Sequence, residues 1–289
     1  MDNNIKITVG LPVFKAGNYL KYAIGSVLAQ TYPNFELIII LDGTNDNSQE
    51  IAGNFHDPRI RLVIENENKG IAFRLNQQVG LARGFYFARM DADDIMFPER
   101  IEKQLTYMIE NPETDVIGSQ AIAIDNSNQI IGLREWDPVL TSRTVQKKSL
   151  FIHPTVFGKT SWFLSNPYDP EYEGVEDYYL WNSTFSRSKF SVMSEPLLFY
   201  RDPPEIKVST YLNRQKQMRK ALKSLMCNSV ITSGAFRKLF ILSKLKSVVY
   251  CIFSKLGLSG KLISARNIHL KDDEMVYYYD KLSGIINHQ

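Results

Sequence analysis

The amino-acid sequence predicts an α/β protein: a doubly wound sheet with helices on both faces, followed by a basic helical extension. Three observations carry that expectation. Through the first hundred residues short β-rich runs alternate with segments of helical period, the order that builds a parallel sheet with crossover helices. One run, Phe35–Leu41 (FELIIIL), is apolar almost throughout, as a strand covered on both faces must be. An overall charge of +3 also hides a division: residues 1–209 carry 20 Lys and Arg against 27 Asp and Glu, whereas residues 210–289 carry 14 against 4.

Ile5–Pro12 reads as a short strand stopped by its proline. From Tyr19 to Gln30 the residues Tyr19, Leu20, Ala23, Val27 and Leu28 then fall at helical spacing. Phe35–Leu41 runs into the turn residues Asp42–Gly43–Thr44–Asn45–Asp46. A helix from about Asn47, a strand at Ile60–Ile64 and a helix over Ile71–Ala82 lead through Arg83-Gly84 to a strand at Phe85–Met90. Asp91, Asp93 and Asp94 stand at its end. After Pro98 come a helix (Glu99–Glu110), strands at Val116–Ile124 and Ile130–Leu133, and a loop-rich stretch with His153 and Gly174–Asp177. A helix at Tyr178–Phe185 follows. Ligands of doubly wound sheets bind beyond the carboxyl ends of the strands, where Asp42 and the Asp91–Asp94 cluster fall.

The expected organisation is a unit at 1–208, with a nucleotide-type half (1–98) and a second half (99–208), and a basic amphipathic helical region at 209–289. No acid occurs from Ile206 through Lys271, while Phe236, Leu239, Phe240, Leu245, Val248, Val249, Ile252, Phe253 and Leu256 mark one helical face. A solvated helix pair packed on the rest of the chain is one reading of this tail. An anionic membrane surface is the other, since basic residues near such a surface contribute about 1 kcal/mol each. Nucleic acid is not expected as a partner, because no recognition motif is present.

A chain of 289 residues that is 44% hydrophobic buries about three quarters of its unfolded surface, which excludes a disordered class. Cys227 and Cys251 are too few for a disulfide framework or a four-ligand zinc site. No signal peptide and no run of about 20 apolar residues is found, so the expected location is cytoplasmic, peripheral on the inner face of the cell membrane.

Three carboxylates within four residues repel one another unless a cation or solvent relieves them. Mn²⁺ or Mg²⁺ is the economical partner, because such ions take oxygen ligands and share their shell with substrate phosphates. A solvated acidic turn ahead of Pro98–Arg100 is the alternative.

The order of ten short motifs resembles a known family. They are Leu11–Phe14, Ser26–Tyr32, Phe35–Ile40, Asp42–Ser48, Asn68–Gly70 with Asn76, Ala82–Gly84, Met90–Asp94, Pro98–Arg100, His153–Thr155 and Glu176-Asp177. Together, over about residues 5–205, they look like the inverting family 2 glycosyltransferases of bacterial surface-polysaccharide assembly. The resemblance implies the GT-A fold, a Rossmann-like doubly wound mixed sheet. It implies transfer of a hexose or N-acetylhexosamine from a UDP-sugar to an oligosaccharide or polyprenyl-diphosphate-linked acceptor in O-antigen or capsule synthesis.

Carried over by that resemblance, Asp91 and Asp93 form the DxD pair: Asp91 on the ribose side, Asp93 on the metal, with Ala92 between them in the nucleotide site. Pro12 and Phe14 hold the base, Phe14 by stacking or else as core. Asp42 reads the base edge or serves as a turn residue. Asp177 is the base that takes the acceptor proton and Glu176 positions the acceptor or supports Asp177, although both also suit the first turn of a helix. His153 lines the gap between donor and acceptor or is a loop histidine, and Arg74 and Arg201 are candidate phosphate partners. Two positions depart from the family pattern: Leu41, where it often has Asp, and Lys15, where Asn commonly follows the aromatic. The rival functions are a sugar-nucleotide pyrophosphorylase, for which the phosphate loop after the first strand is missing, and a non-catalytic sugar-binding subunit.

Overall fold

The computed structural model describes residues 5–136, 139–202 and 206–287. Its first half alternates β1 (Ile7–Val13), α1 (Tyr19–Leu28), β2 (Phe35–Asp42), α2 (Ser48–Gly53), β3 (Ile60–Glu65), α3 (Ile71–Leu81) and β4 (Tyr86–Arg89). The strands lie in the order β3-β2-β1-β4, all parallel. β2 is buried at every residue, so its unbroken apolar run reflects helices on both faces. Leu20, Ala23, Ile24 and Val27 of α1 cover one face, and Ala72, Leu75 and Val79 of α3 cover the other.

Then come β5 (Ile95–Met96), α4 (Arg100–Glu110), β6 (Val116–Ile124), β7 (Ile130–Arg134), α5 (Ser142–Lys147), β8 (Phe157–Lys159), α6 (Thr160–Ser165), α7 (Glu176–Thr184) and β9 (Phe190–Arg201). Here the sheet turns mixed. β8 pairs antiparallel with both β4 and β6, β9 runs parallel to β6, β5 is antiparallel to β9, and β7 folds back on β6. Sequence periodicity marks neither β8 nor β9. β8 has only three residues, and β9 is broken by Ser194-Glu195-Pro196, where its register with β6 shifts.

Gly84 marks how tightly β4 enters the sheet. A Cβ there would lie 2.4 Å from the Thr8 backbone nitrogen, and the Gly84 N–H donates to Thr8 Oγ1 at 2.8 Å.

The chain continues as α8 (Val208–Cys227), α9 (Ser233–Lys255), α10 (Ser259–Ser264) and α11 (Asp272–Asn287). Ala221, Leu222 and Leu225 of α8 pack on Tyr172, Val175 and Tyr178, beside α7. Leu282 and Ile285 of α11 pack on Ile95, Ile122 and Phe199 of the sheet. α9 lies along α8. The apolar face read from the sequence splits: Phe236 and Leu239 join the α8 cluster, whereas Leu245, Val248, Val249, Ile252 and Leu256 stay exposed at 43–64%. Among the described residues no helix is long and apolar enough to cross a membrane.

Candidate active site

Three strand ends converge on one cleft. β1 delivers Pro12 and continues into Phe14, β2 ends on Asp42, and β4 runs into the turn holding Asp91, Ala92, Asp93 and Asp94. All but Asp94 line a cavity of about 480 Å³, together with Lys15, Tyr19, Asn68 and Gly70.

Phe14 is 48% exposed at the cavity wall, so it is not a core residue. Lys15 beside it has φ +52°, the left-handed region that Asn tolerates better than Lys, and its N–H donates to Thr44 Oγ1 at 3.1 Å. Its ammonium sits 5.2 Å from the centre of the Phe14 ring.

Asp42 is nearly buried and accepts from the Lys69 N–H (2.9 Å), the Gly70 N–H (3.0 Å) and Arg74 Nε (2.5 Å). This corrects the expectation for Arg74. Its side chain is 1% exposed, lines no part of the cleft, and is committed to Asp42, Gln77 and the Glu67 carbonyl. Arg74 thus holds Asp42 from inside the protein rather than lining the cleft. Arg201 is displaced from the same expectation: its guanidinium donates to the Asp93 carbonyl (2.8 Å) and Asn128 Oδ1 (2.7 Å), bracing the acidic turn from behind.

One carboxylate oxygen from each of Asp91, Asp93 and Asp94 lies within 4.8 Å of the other two. Asp91 is clamped by Arg89, a buried residue of β4, at 2.6 and 2.5 Å. Asp94 is buried; its Oδ1 accepts the Arg201 N–H at 2.7 Å, and its Oδ2 has no hydrogen-bond partner among the described residues. Burial and the neighbouring Asp91 charge push Asp93 up to about 6. Burial and the charges of Asp93 and Asp91 push Asp94 well above the usual carboxylate range. Crowded like charges with an all-oxygen donor set and an unpartnered buried oxygen suit a hard divalent cation.

A second cavity of about 430 Å³ opens beside the first, and the two share Asp91 and Ile71. Its lining includes Arg89, Ser149, His153, Glu176, Asp177 and Tyr178. Glu176 and Asp177 occupy the first turn of α7, where the helix dipole favours negative charge. Val175 is the N-cap residue, with no capping side chain. Asp177 Oδ2 accepts the Ser149 hydroxyl at 2.5 Å, and Glu176 Oε2 accepts the Gly174 N–H at 2.6 Å. Burial, then the Asp177 charge, pushes Glu176 up to about 7. His153 Nε2 lies 3.0 Å from the Tyr168 hydroxyl, and burial beside Arg89 holds its imidazole well below the usual value, hence neutral.

Sequence reasoning missed three residues here. Arg89 had a signal: a charged side chain in an apolar strand, two residues before Asp91 and therefore on the same face. Ser149 and Tyr168 had none, because only packing brings them to Asp177 and His153.

Residues 8–169 match the family described as Glycosyl transferase family 2. An uncharacterized glycosyltransferase of Methanocaldococcus jannaschii is 34% identical over 228 residues, covering 76% of this chain and 77% of that one. The Escherichia coli protein UDP-Glc:alpha-D-GlcNAc-diphosphoundecaprenol beta-1,3-glucosyltransferase WfgD is 30% identical over 195 residues, 67% of this chain and 75% of its own. Among solved structures, S. aureus TarS 1-349 in complex with UDP-GlcNAc aligns with a TM-score of 0.63 and 16% identity, over 82% of this chain and 70% of that one. The mannosyltransferase PcManGT from Pyrobaculum calidifontis, in complex with GDP-Man and Mn2+, aligns with a TM-score of 0.60 and 13% identity over 98% and 82%. At those identities the two structures show a shared fold.

Proposed function

The chain belongs to glycosyl transferase family 2 and has its GT-A fold, and on that premise we propose an inverting, metal-dependent hexosyltransferase. It moves a hexose or N-acetylhexosamine from a UDP-sugar to a sugar on a polyprenyl diphosphate, in surface-polysaccharide assembly. The observation that carries the reading is the meeting of two cavities at Asp91, with the acidic turn in one and Asp177 in the other. The name of the WfgD relative, which gives a UDP-Glc donor and an alpha-D-GlcNAc-diphosphoundecaprenol acceptor, supports the substrate classes.

In this reading Phe14 stacks on the uracil, a contact of about 1–3 kcal/mol in nucleic-acid binders, and Pro12 shapes the turn beside it. Asp42, fixed by Arg74, accepts an N–H of the base edge. Asp93 with Asp91 would hold Mn²⁺ or Mg²⁺, which when bound neutralises charge on the departing diphosphate. Asp177, held by Ser149, accepts the proton of the acceptor hydroxyl as its oxygen attacks the anomeric carbon. The bond from that carbon to the diphosphate breaks, UDP leaves with the electron pair, and attack from the opposite face inverts the configuration. Glu176 and neutral His153 hydrogen-bond the acceptor sugar.

The row Leu245, Val248, Val249, Ile252 and Leu256 on α9, flanked by Lys244, Lys246 and Lys255, supports a peripheral seat on an anionic membrane.

A panel of UDP-, GDP- and dTDP-sugars with Mn²⁺ and lipid-diphosphate sugars tests the chemistry by release of nucleoside diphosphate. UDP release is expected for the native protein, with a loss of about 10²–10⁴-fold in Asp177→Asn and comparable loss in Asp93→Ala. Undiminished turnover in either variant overturns its assignment, and absence of donor turnover leaves only the non-catalytic sugar-binding subunit.

A further inference from the structure

The second cavity is lined by groups of both signs: Asp91 with its partner Arg89, Glu176 and Asp177, and also Arg134, Arg214 and Arg266. Arg134 is already committed, since it is buried, paired with Asp202, and donates from Nε to Asn267 Oδ1 at 2.8 Å. Arg214 and Arg266 are different. Both are exposed, and among the described residues neither forms an ion pair or a side-chain hydrogen bond. They converge from separate elements, Arg214 from α8 and Arg266 from the segment before α11. Each charge acts on the same Tyr211 phenol, which burial raises and the two guanidinium groups pull down.

Two unpaired guanidinium groups at the mouth of a cavity are a site for phosphate oxygens, which their forked donors match in geometry. We propose that Arg214 and Arg266 bind the diphosphate of a lipid-linked acceptor, and that the Asp177 carboxylate in the same cavity fixes its orientation. A diphosphate beside that carboxylate is repelled, so it settles at the arginines and the sugar it carries turns its free hydroxyls toward Asp177. Met218 lines the same cavity one turn after Arg214 on α8 and offers apolar contact to the first carbons of the lipid. Both arginines lie outside residues 8–169, the part matched by the family, in the C-terminal helical region. The inference rests on the transferase reading only for the identity of the anion's carrier.

The test uses the full chain and the double variant Arg214→Gln/Arg266→Gln. Both positions are exposed, so folding is expected to survive, and a circular dichroism melt checks it. Binding of farnesyl diphosphate, measured by calorimetry in EDTA so that the acidic turn holds no metal, is expected to weaken at least tenfold in the variant. Farnesol serves as the uncharged control. In the activity arm, the KM for a farnesyl-diphosphate sugar is expected to rise at least tenfold, while the KM for the same sugar on a neutral alkyl aglycone and for the donor stays unchanged. Equal binding by the two proteins, or no binding by the native one, overturns the proposal; so does equal loss on charged and neutral acceptors. If instead the variant loses only binding to phosphatidylglycerol vesicles, the arginines read a membrane headgroup and the acceptor proposal fails. Failure of the transferase reading shows separately, as absence of donor turnover by the native protein, and leaves the binding arm intact.

Discussion

Glu176 is a carboxyl group held against its own ionisation. Its folded value of about 7 lies above the ordinary 4.5, so between these values the folded state keeps a proton that the unfolded chain has released. The stabilisation is complete below about pH 4.5 and is lost as pH rises through 7, at up to about 1.4 kcal/mol per pH unit. Asp93, pushed up to about 6, acts in the same direction. In urea titrations with EDTA, the native protein is therefore expected to lose stability between pH 5 and 7. Glu176→Gln should lose less, and adding Mn²⁺ should remove the share that comes from Asp93. A native midpoint that rises over this range contradicts the burial argument. Among the residues named from the motif pattern, the acids were legible because strand-end carboxylates announce themselves locally. The role of Arg74 was not: its charge is visible in the sequence, but its 1% exposure and its hold on Asp42 are consequences of packing.

At the level of elements, the sheet is tightest where β4 meets β1. Thr8 accepts the Gly84 N–H and donates to Glu36 Oε1 at 2.7 Å, so one hydroxyl joins β1, β2 and the entry to β4. Gly84→Ala places a methyl group against the backbone of Thr8, which cannot swing away as a side chain would. The expected cost is about 3 kcal/mol, read as a lower urea midpoint with unchanged slope. An unaffected midpoint would show that the two strands can separate. The early strands and helices were legible for a simple reason: each is marked by a helical period or an apolar run in its own consecutive residues. β8 and β9 lacked that signal, and the antiparallel half of the sheet was hidden with them.

For the whole molecule, the helices after residue 208 divide between two jobs. α8 and α11 cover apolar surface on the body of the protein, while α9 lies on α8 with an apolar row exposed. Removing the entire region would uncover the packed clusters, so the membrane seat is better tested with Leu245→Glu/Val248→Glu in the full chain. Flotation with phosphatidylglycerol vesicles is expected to fall at least tenfold for this variant, while its thermal melt stays unchanged. Undiminished flotation would remove α9 from the membrane reading.

The sequence by itself determined the α/β class, the four parallel strands, the acids at their ends and the charge division, because each is written in residues adjacent along the chain. Only the tertiary structure decided that the two cavities meet at Asp91, that Arg74 and Arg201 serve neighbouring acids, and that two exposed arginines line the same cavity as Asp177. Those facts depend on elements far apart in sequence being packed together. Local period and turn chemistry govern which segment becomes a strand or helix, whereas side-chain partners across a cleft follow from how the finished layers stack.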